Sequence, residues 1–119
     1  MHSKEVKQIN FREMIEKNNL IVILLIVLKV PKYSNDYDLF RVLERMFNLF
    51  DPRNLIAKLV SDKYLLIKST SKIGINKYEI SELGKKFIER NLKSFKKNAV
   101  KDNDYNQEYL RLLLKNKKR

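Results

Sequence analysis

The run Leu20–Leu28, LIVILLIVL, is continuously apolar for nine residues and then stops at Lys29 and Pro31. A membrane-spanning helix needs about 20 apolar residues, and this run falls well short of that. A secretory leader is not expected either. Glu5, Glu13 and Glu16 are mixed with the lysines ahead of the run, and no small-residue cleavage site follows it. What remains is a fully buried core element. Its β-branched residues (Ile21, Val22, Ile23, Ile26, Val27) would suit a strand. Its length, and the helical spacing of Phe11, Met14 and Ile15 before it, favour a helix, which Asn18-Asn19 could divide in two. Pro31 closes the element, because proline cannot continue a helix and pushes Val30 towards extended geometry.

Beyond Pro31 the period stays helical. After a loop at Lys32–Asn35, the residues Leu39, Phe40, Leu43, Met46 and Phe47 recur at spacings of three and four, predicting a second helix over Asp36–Asn48. Asp51-Pro52 starts a third. Asp51 is expected to cap the free amides, and Pro52 at the first helical position loses no hydrogen bond. The buried stripe of this helix is expected to be Leu55, Ile56, Leu59 and Val60, with its end near Asp62.

There the pattern turns extended. Tyr64–Ser69 and Lys77–Ile80 are strand candidates, and Thr70–Asn76 between them carries turn residues, so the pair reads as a β-hairpin. Ser81 can cap a fourth helix, Glu82–Lys97, with Leu83, Phe87, Ile88 and Leu92 turned inwards. A polar stretch, Asn98–Asn106, leads to a short amphipathic helix, Tyr109–Leu114, and a basic end, Lys115–Arg119.

Composition removes several functional classes. Without cysteine there is no disulfide scaffold and no thiolate metal site, and a reducing, cytoplasmic setting is natural. The sole histidine, His2, lies close to the chain start, so a histidine metal centre or a Ser/His relay lacks its parts. The expectation is a non-enzyme with no cofactor and no metal. The net charge of +12, from 26 Lys and Arg against 14 Asp and Glu, makes polyanions the first partners to consider.

Two stretches resemble the winged helix-turn-helix transcription regulators, with the PadR-like, MarR-like and small archaeal groups nearest in layout. One is Leu55-x-x-x-Leu59-Val60-Ser61-Asp62-Lys63-Tyr64-Leu65, a helix end running into a strand. The other is Tyr78-Glu79-Ile80-Ser81-Glu82-Leu83-Gly84, in which a strand ends, Ser81 caps a helix, and Gly84 lets backbone pack closely. The chain departs from the pattern at Lys63, where the family frequently has glycine. The resemblance implies an α+β, mostly helical fold: three helices, a two-stranded wing and C-terminal helices. It divides the chain into a helical extension (1–17), a winged-helix domain (18–97), and a linker, short helix and basic tail (98–119).

It also implies a partner, double-stranded DNA, with the third helix in the major groove. The outward residues of that helix are then Arg53, Asn54, Ala57, Lys58 and Ser61. Arg53, Asn54, Lys58 and Ser61 are the candidates for base contact, since Arg can fork onto guanine and Asn onto adenine. The wing supplies Lys68, Ser69, Thr70, Ser71, Lys72, Asn76 and Lys77 as phosphate or minor-groove ligands. Lys85, Lys86, Arg90, Lys93, Lys96 and Lys97 make the fourth helix basic, and lysines near its C-terminus also suit the helix dipole. The apolar set Tyr109, Leu110, Leu112, Leu113 and Leu114 must leave water, either by packing back onto the domain or by forming a homodimer seam. A dimer is the expectation, because paired motifs read paired half-sites. The alternative function is a protein–protein module on the same fold without direct DNA contact.

Overall fold

In the computed structural model Ser3–Lys29 forms one uninterrupted helix, α1, and every residue from Leu20 to Val27 is buried. Backbone is described for residues 3–49, 51–99 and 105–115, with side chains from residue 13 onward within those ranges. The Phe11 side chain, residues 100–104 of the polar stretch and residues 116–119 of the basic end lie outside the described residues. Asn18-Asn19 does not break α1. Asn18 is buried, and Asn19 Oδ1 accepts a hydrogen bond from the Tyr105 hydroxyl, so its polar group is used in a tertiary contact.

The chain is α+β and mostly helical. After α1 come a single 3₁₀ turn (Pro31–Tyr33), α2 (Asp36–Phe47) and α3 (Pro52–Ser61). Strands β1 (Leu65–Thr70) and β2 (Asn76–Ile80), α4 (Glu82–Ala99) and α5 (Gln107–Leu114) complete it. The sheet is one antiparallel hairpin. α1 touches α2, α3, α4, α5, β2 and the 3₁₀ turn, so the apolar run is the hub of the core. Each aliphatic side chain enclosed this way contributes about 1.5–3 kcal/mol of transfer free energy.

Helix α2 buries Leu39, Leu43 and Phe47 and is capped by Asn35, whose Oδ1 accepts from the Asp38 amide at 3.0 Å. It ends at Asn48, which takes the left-handed conformation with φ 52°. The expected Asp51 cap on α3 does not form. Asp51 itself sits at φ 55°, and its carboxylate instead accepts from the Asn54 side-chain amide at 2.6 Å.

The end of α3 explains the departure at Lys63. Tyr64 N–H donates to the Leu59 carbonyl and Lys63 N–H to that of Val60, the paired bonds of a Schellman stop. Lys63 occupies its left-handed position at φ 67°, where a Cβ is unfavourable and glycine is the usual occupant.

Strand β2 hands directly to α4 through Ser81. Its Oγ accepts from the Gly84 amide at 3.0 Å, the expected N-cap, and donates to the Lys63 carbonyl at 2.6 Å. Its own amide donates to the Tyr64 carbonyl at 3.1 Å. Gly84 is buried against the same junction. A Cβ there would meet Ile80 Cγ1 at 2.7 Å and lie closer still to the Tyr64 carbonyl oxygen. The inward register of α4 follows from this. Gly84, Ile88, Phe95 and Ala99 are buried, while Phe87 is half-buried and stacks on Tyr64. Leu83, expected inside, is 53% exposed, because the position facing the junction is taken by Gly84, one residue further round the helix.

Two substitutions at this junction should act in opposite directions. Gly84→Ala is expected to lower unfolding free energy by about 1–3 kcal/mol, the usual cost of overpacking. Lys63→Gly is expected to raise it by about 1 kcal/mol by relieving the left-handed backbone. Urea unfolding followed by circular dichroism measures both, and a neutral Gly84→Ala would show that the close approach is not a constraint.

Candidate nucleic-acid interface

Helix α3 buries Pro52, Ile56 and Leu59 and half-buries Leu55 and Val60, which leaves Arg53, Asn54, Ala57, Lys58 and Ser61 exposed. The exposed set is the stripe that the helical period dictates. Two of its members are held. The Arg53 guanidinium lies 5.2 Å from the Phe40 ring centroid, and Asn54 is tied to Asp51. Lys58 and Ser61, one turn apart, complete the stripe. A cleft between α2 and the start of α3 is lined by Tyr37, Phe40, Arg41, Glu44, Pro52 and Arg53. Within it Arg41 donates to the Tyr37 hydroxyl at 3.1 Å and covers the Tyr37 ring. Tyr37 and Arg41 therefore stand exposed beside the α3 N-terminus, a pair that residue-type reasoning about the third helix alone had left out.

The hairpin projects from the core. Only Leu65 of β1 and Tyr78 of β2 are buried, and Lys68 is the extra residue of a bulge between Ile67 and Ser69. Bulges bend a strand and increase its twist. Lys68, Ser69, Thr70, Ser71, Lys72 and Lys77 are exposed, and Asn76 is half-buried. At the tip, Ser71 Oγ accepts from the Ile75 amide at 3.1 Å, and Gly74 at φ 85° closes the turn onto the Ser71 carbonyl at 3.0 Å. Thr70 Oγ1 donates to Asn76 Oδ1 at 2.7 Å, so the hydroxyl's proton is already engaged. Ile73 is 81% exposed at this tip, an apolar residue that polar residue types alone do not single out.

The base of the hairpin is fastened to the start of α2. The Tyr78 amide donates to the Ser34 carbonyl at 2.7 Å, and Asn35 forms a β-bridge with Lys77. Asp36 uses both carboxylate oxygens, accepting from the Asn76 amide at 2.9 Å and from the Tyr78 hydroxyl. Burial, and then the bond to Asp36, push the Tyr78 hydroxyl up to about 12.

On α4, Lys85, Lys86, Arg90, Lys93, Lys96 and Lys97 are all exposed, and Lys85 lies 3.6 Å from Glu82. The apolar face of α5 is largely used within the chain. Leu110 and Leu113 are buried, Tyr109 and Leu114 are half-buried, and Leu112 is 60% exposed. Tyr105 and Tyr109 pack edge-on against Phe47, and the Asn106 amide donates to the Met46 carbonyl at 2.7 Å. Of the five residues expected at a dimer seam, Leu110 and Leu113 are thus used within the chain, and Leu112 is the most exposed.

Among the described residues no helix is long and apolar enough to cross a membrane, and no cluster of His, Asp and Glu is arranged to hold a metal ion. No protein-family model, curated protein or solved structure matches the chain.

The Tyr78–Asp36 attachment carries a pH signature. The folded-state value stands above the ordinary 10, so the neutral hydroxyl is the form that the fold stabilises. Its contribution is complete below about pH 10 and declines as pH rises from there through about 12. The unfolding free energy of Tyr78→Phe should therefore fall less steeply than wild type over that window. Parallel slopes in alkaline denaturant titrations would contradict the attachment.

Proposed function

We propose that the chain is a winged-helix protein that binds double-stranded DNA and acts as a transcription regulator, with α3 in the major groove and the β1–β2 hairpin as its wing. The order helix, helix, helix, hairpin, helix supports the fold reading. The observation that carries the DNA reading is the exposed stripe of α3. Its apolar positions are spent on the core, and its exposed positions hold Arg53, Asn54, Lys58 and Ser61, residue types that read base edges. The net charge of +12 supplies the sequence-independent attraction to phosphate.

In this reading Arg53 leaves the Phe40 face to fork onto a base, and Asn54 exchanges its Asp51 bond for a base amide or carbonyl. Lys58 and Ser61 follow along the groove. Arg41, Lys68, Lys72 and Lys77 contact phosphates, which set register without reading sequence. Helix α4 adds a diffuse positive surface.

A second reading, a winged helix that binds another protein, is favoured by the exposed apolar residues Leu66, Ile67 and Ile73 on the hairpin. Titration with duplex DNA at several salt concentrations separates the two. The DNA reading expects binding at low salt, a steep decline with added salt, and a loss of about tenfold or more in Arg53→Ala/Lys58→Ala. No binding at low salt would overturn it in favour of the protein-binding module. Binding that the double substitution leaves unchanged would remove α3 from the interface.

A further inference from the structure

The apex of the β1–β2 hairpin carries an aliphatic side chain. Ile73 is more exposed than any other large apolar residue among the described residues. A single apolar residue on a surface is ordinary, and its setting is what distinguishes this one. The apex is firmly held. The Ser71 amide donates to the Ile75 carbonyl at 2.9 Å, and the Ile75 amide returns a bond to Ser71 Oγ at 3.1 Å. Between them the Gly74 amide donates to the Ser71 carbonyl at 3.0 Å. Below the apex Thr70 bonds to Asn76, whose own amide is tied to Asp36 of α2. The loop is therefore ordered before anything binds, and Ile73 can meet a partner with little further loss of conformational entropy.

Charge says what such a partner would be. Residues 63–78 contain Lys63, Lys68, Lys72 and Lys77 and no Asp or Glu. Asp36, an acid that does meet the hairpin, uses both oxygens on Asn76 and Tyr78 at its base. Lys72 adjoins Ile73. Lys77 pairs with Ser69 across the hairpin, so Lys68 and Lys77 lie on its two strands at nearly the same height. An aliphatic point with lysines around it matches a polyanion whose apolar interior lies between two lines of negative charge. The minor groove of a duplex is such a target, about 6 Å wide, with phosphates along both rims and stacked bases at its floor.

We propose that Ile73 is a wedge, inserted from the minor groove between two base pairs so that it unstacks them and bends the duplex while the lysines meet the phosphates on either rim. The proposal rests on the DNA-binding reading and goes beyond it, because phosphate contacts alone gain nothing from an aliphatic apex. An apolar side chain inserted in this way exchanges water for the faces of the parted bases, which offsets part of the stacking lost. A protein partner fits the apex less well. Leu66 and Ile67 stand nearer the base of β1, so Ile73 does not extend them into one apolar patch.

The test uses the full chain at low salt with two duplexes of one sequence, roughly 30 base pairs long, labelled at both ends for energy transfer. One is fully paired and the other carries a single central mismatch. A mismatch lowers the stacking that a wedge must break, so wild type should bind that duplex about tenfold more tightly and draw the ends of both together. Ile73→Ser disturbs no packed side chain and keeps every lysine. Its affinity for the paired duplex should stay within about threefold of wild type, while the mismatch preference and the bend are lost. Ile73→Leu should retain both. Wild type that binds without mismatch preference, or without bending, would overturn the wedge and leave the DNA-binding reading standing. So would an Ile73→Ser variant that bends the duplex as wild type does. No binding to either duplex would overturn the wedge and the DNA-binding reading together.

Discussion

A helix whose residues 20–27 are buried on every side must be surrounded, and the other elements of this chain supply the enclosure. An ordinary surface helix hides one stripe and leaves the opposite face to water. α1 has no such polar face over these two turns, so it cannot be stable until α2, α3, α4, α5 and the base of the hairpin have come together around it. That arrangement also leaves room for charge on the rest. With the core's central helix supplied by one uninterrupted apolar run, the other helices need only narrow apolar faces. Their remaining positions are free to carry lysine and arginine, as α4 shows most plainly.

A second constraint decides where the proposed interface sits. The end of α3, the start of β1, the end of β2 and the start of α4 meet within one knot of backbone, in which Ser81 bonds to Lys63, Tyr64 and Gly84 together. No side chain larger than hydrogen fits at Gly84, so α4 approaches the Tyr64 carbonyl as closely as backbone allows. The left-handed Lys63 is the other half of the same arrangement. It reverses the chain so that β1 can begin immediately, and it carries a positive charge into the turn where glycine would have been easier. Helix α3 and the hairpin are therefore joined through one hydrogen-bonded junction, as the proposed two-part grip on a duplex would require.

The parts legible in the sequence were those set by a residue's own chemistry. A change of period marked the hairpin, Pro52 marked the start of α3, and Ser81 followed by Gly84 marked the junction. Asp51 was misread because an aspartate before proline looks the same whether its backbone is extended or left-handed. Only the short α2–α3 connection, with positive φ at both Asn48 and Asp51, settles it. Leu83 was misread because periodicity cannot tell a leucine from its glycine neighbour when close packing needs the smaller one. Exposure of Arg53, Asn54, Lys58 and Ser61 followed from the helical period, but the Asp51 and Phe40 contacts that hold two of them did not. The face of α5 was ambiguous for a different reason. An amphipathic stripe records that it must be covered, not by which chain, and Phe47, edge-on against Tyr109, covers part of it from a position distant in sequence. Asp36 was invisible as an anchor because its partners lie 40 and 42 residues away.

The segment Pro31–Ser34 has two neighbours that are otherwise separate. On one side Lys32 and Tyr33 border a groove beneath α5. On the other, Ser34 accepts the Tyr78 amide at the centre of β2, while its own amide and hydroxyl bond back to the Pro31 carbonyl at 3.0 and 2.6 Å. A 3₁₀ turn closed on itself in this way has fewer conformations open to it than a free loop, because Tyr33 lies between the two residues that these bonds join. The edge of the groove and the base of the hairpin are thus joined through one hydrogen-bonded turn. Proline at its start has a fixed φ, which narrows the turn's conformations further. The same short turn thus borders the groove at Tyr33 and holds the base of the hairpin through Ser34 and Asn35.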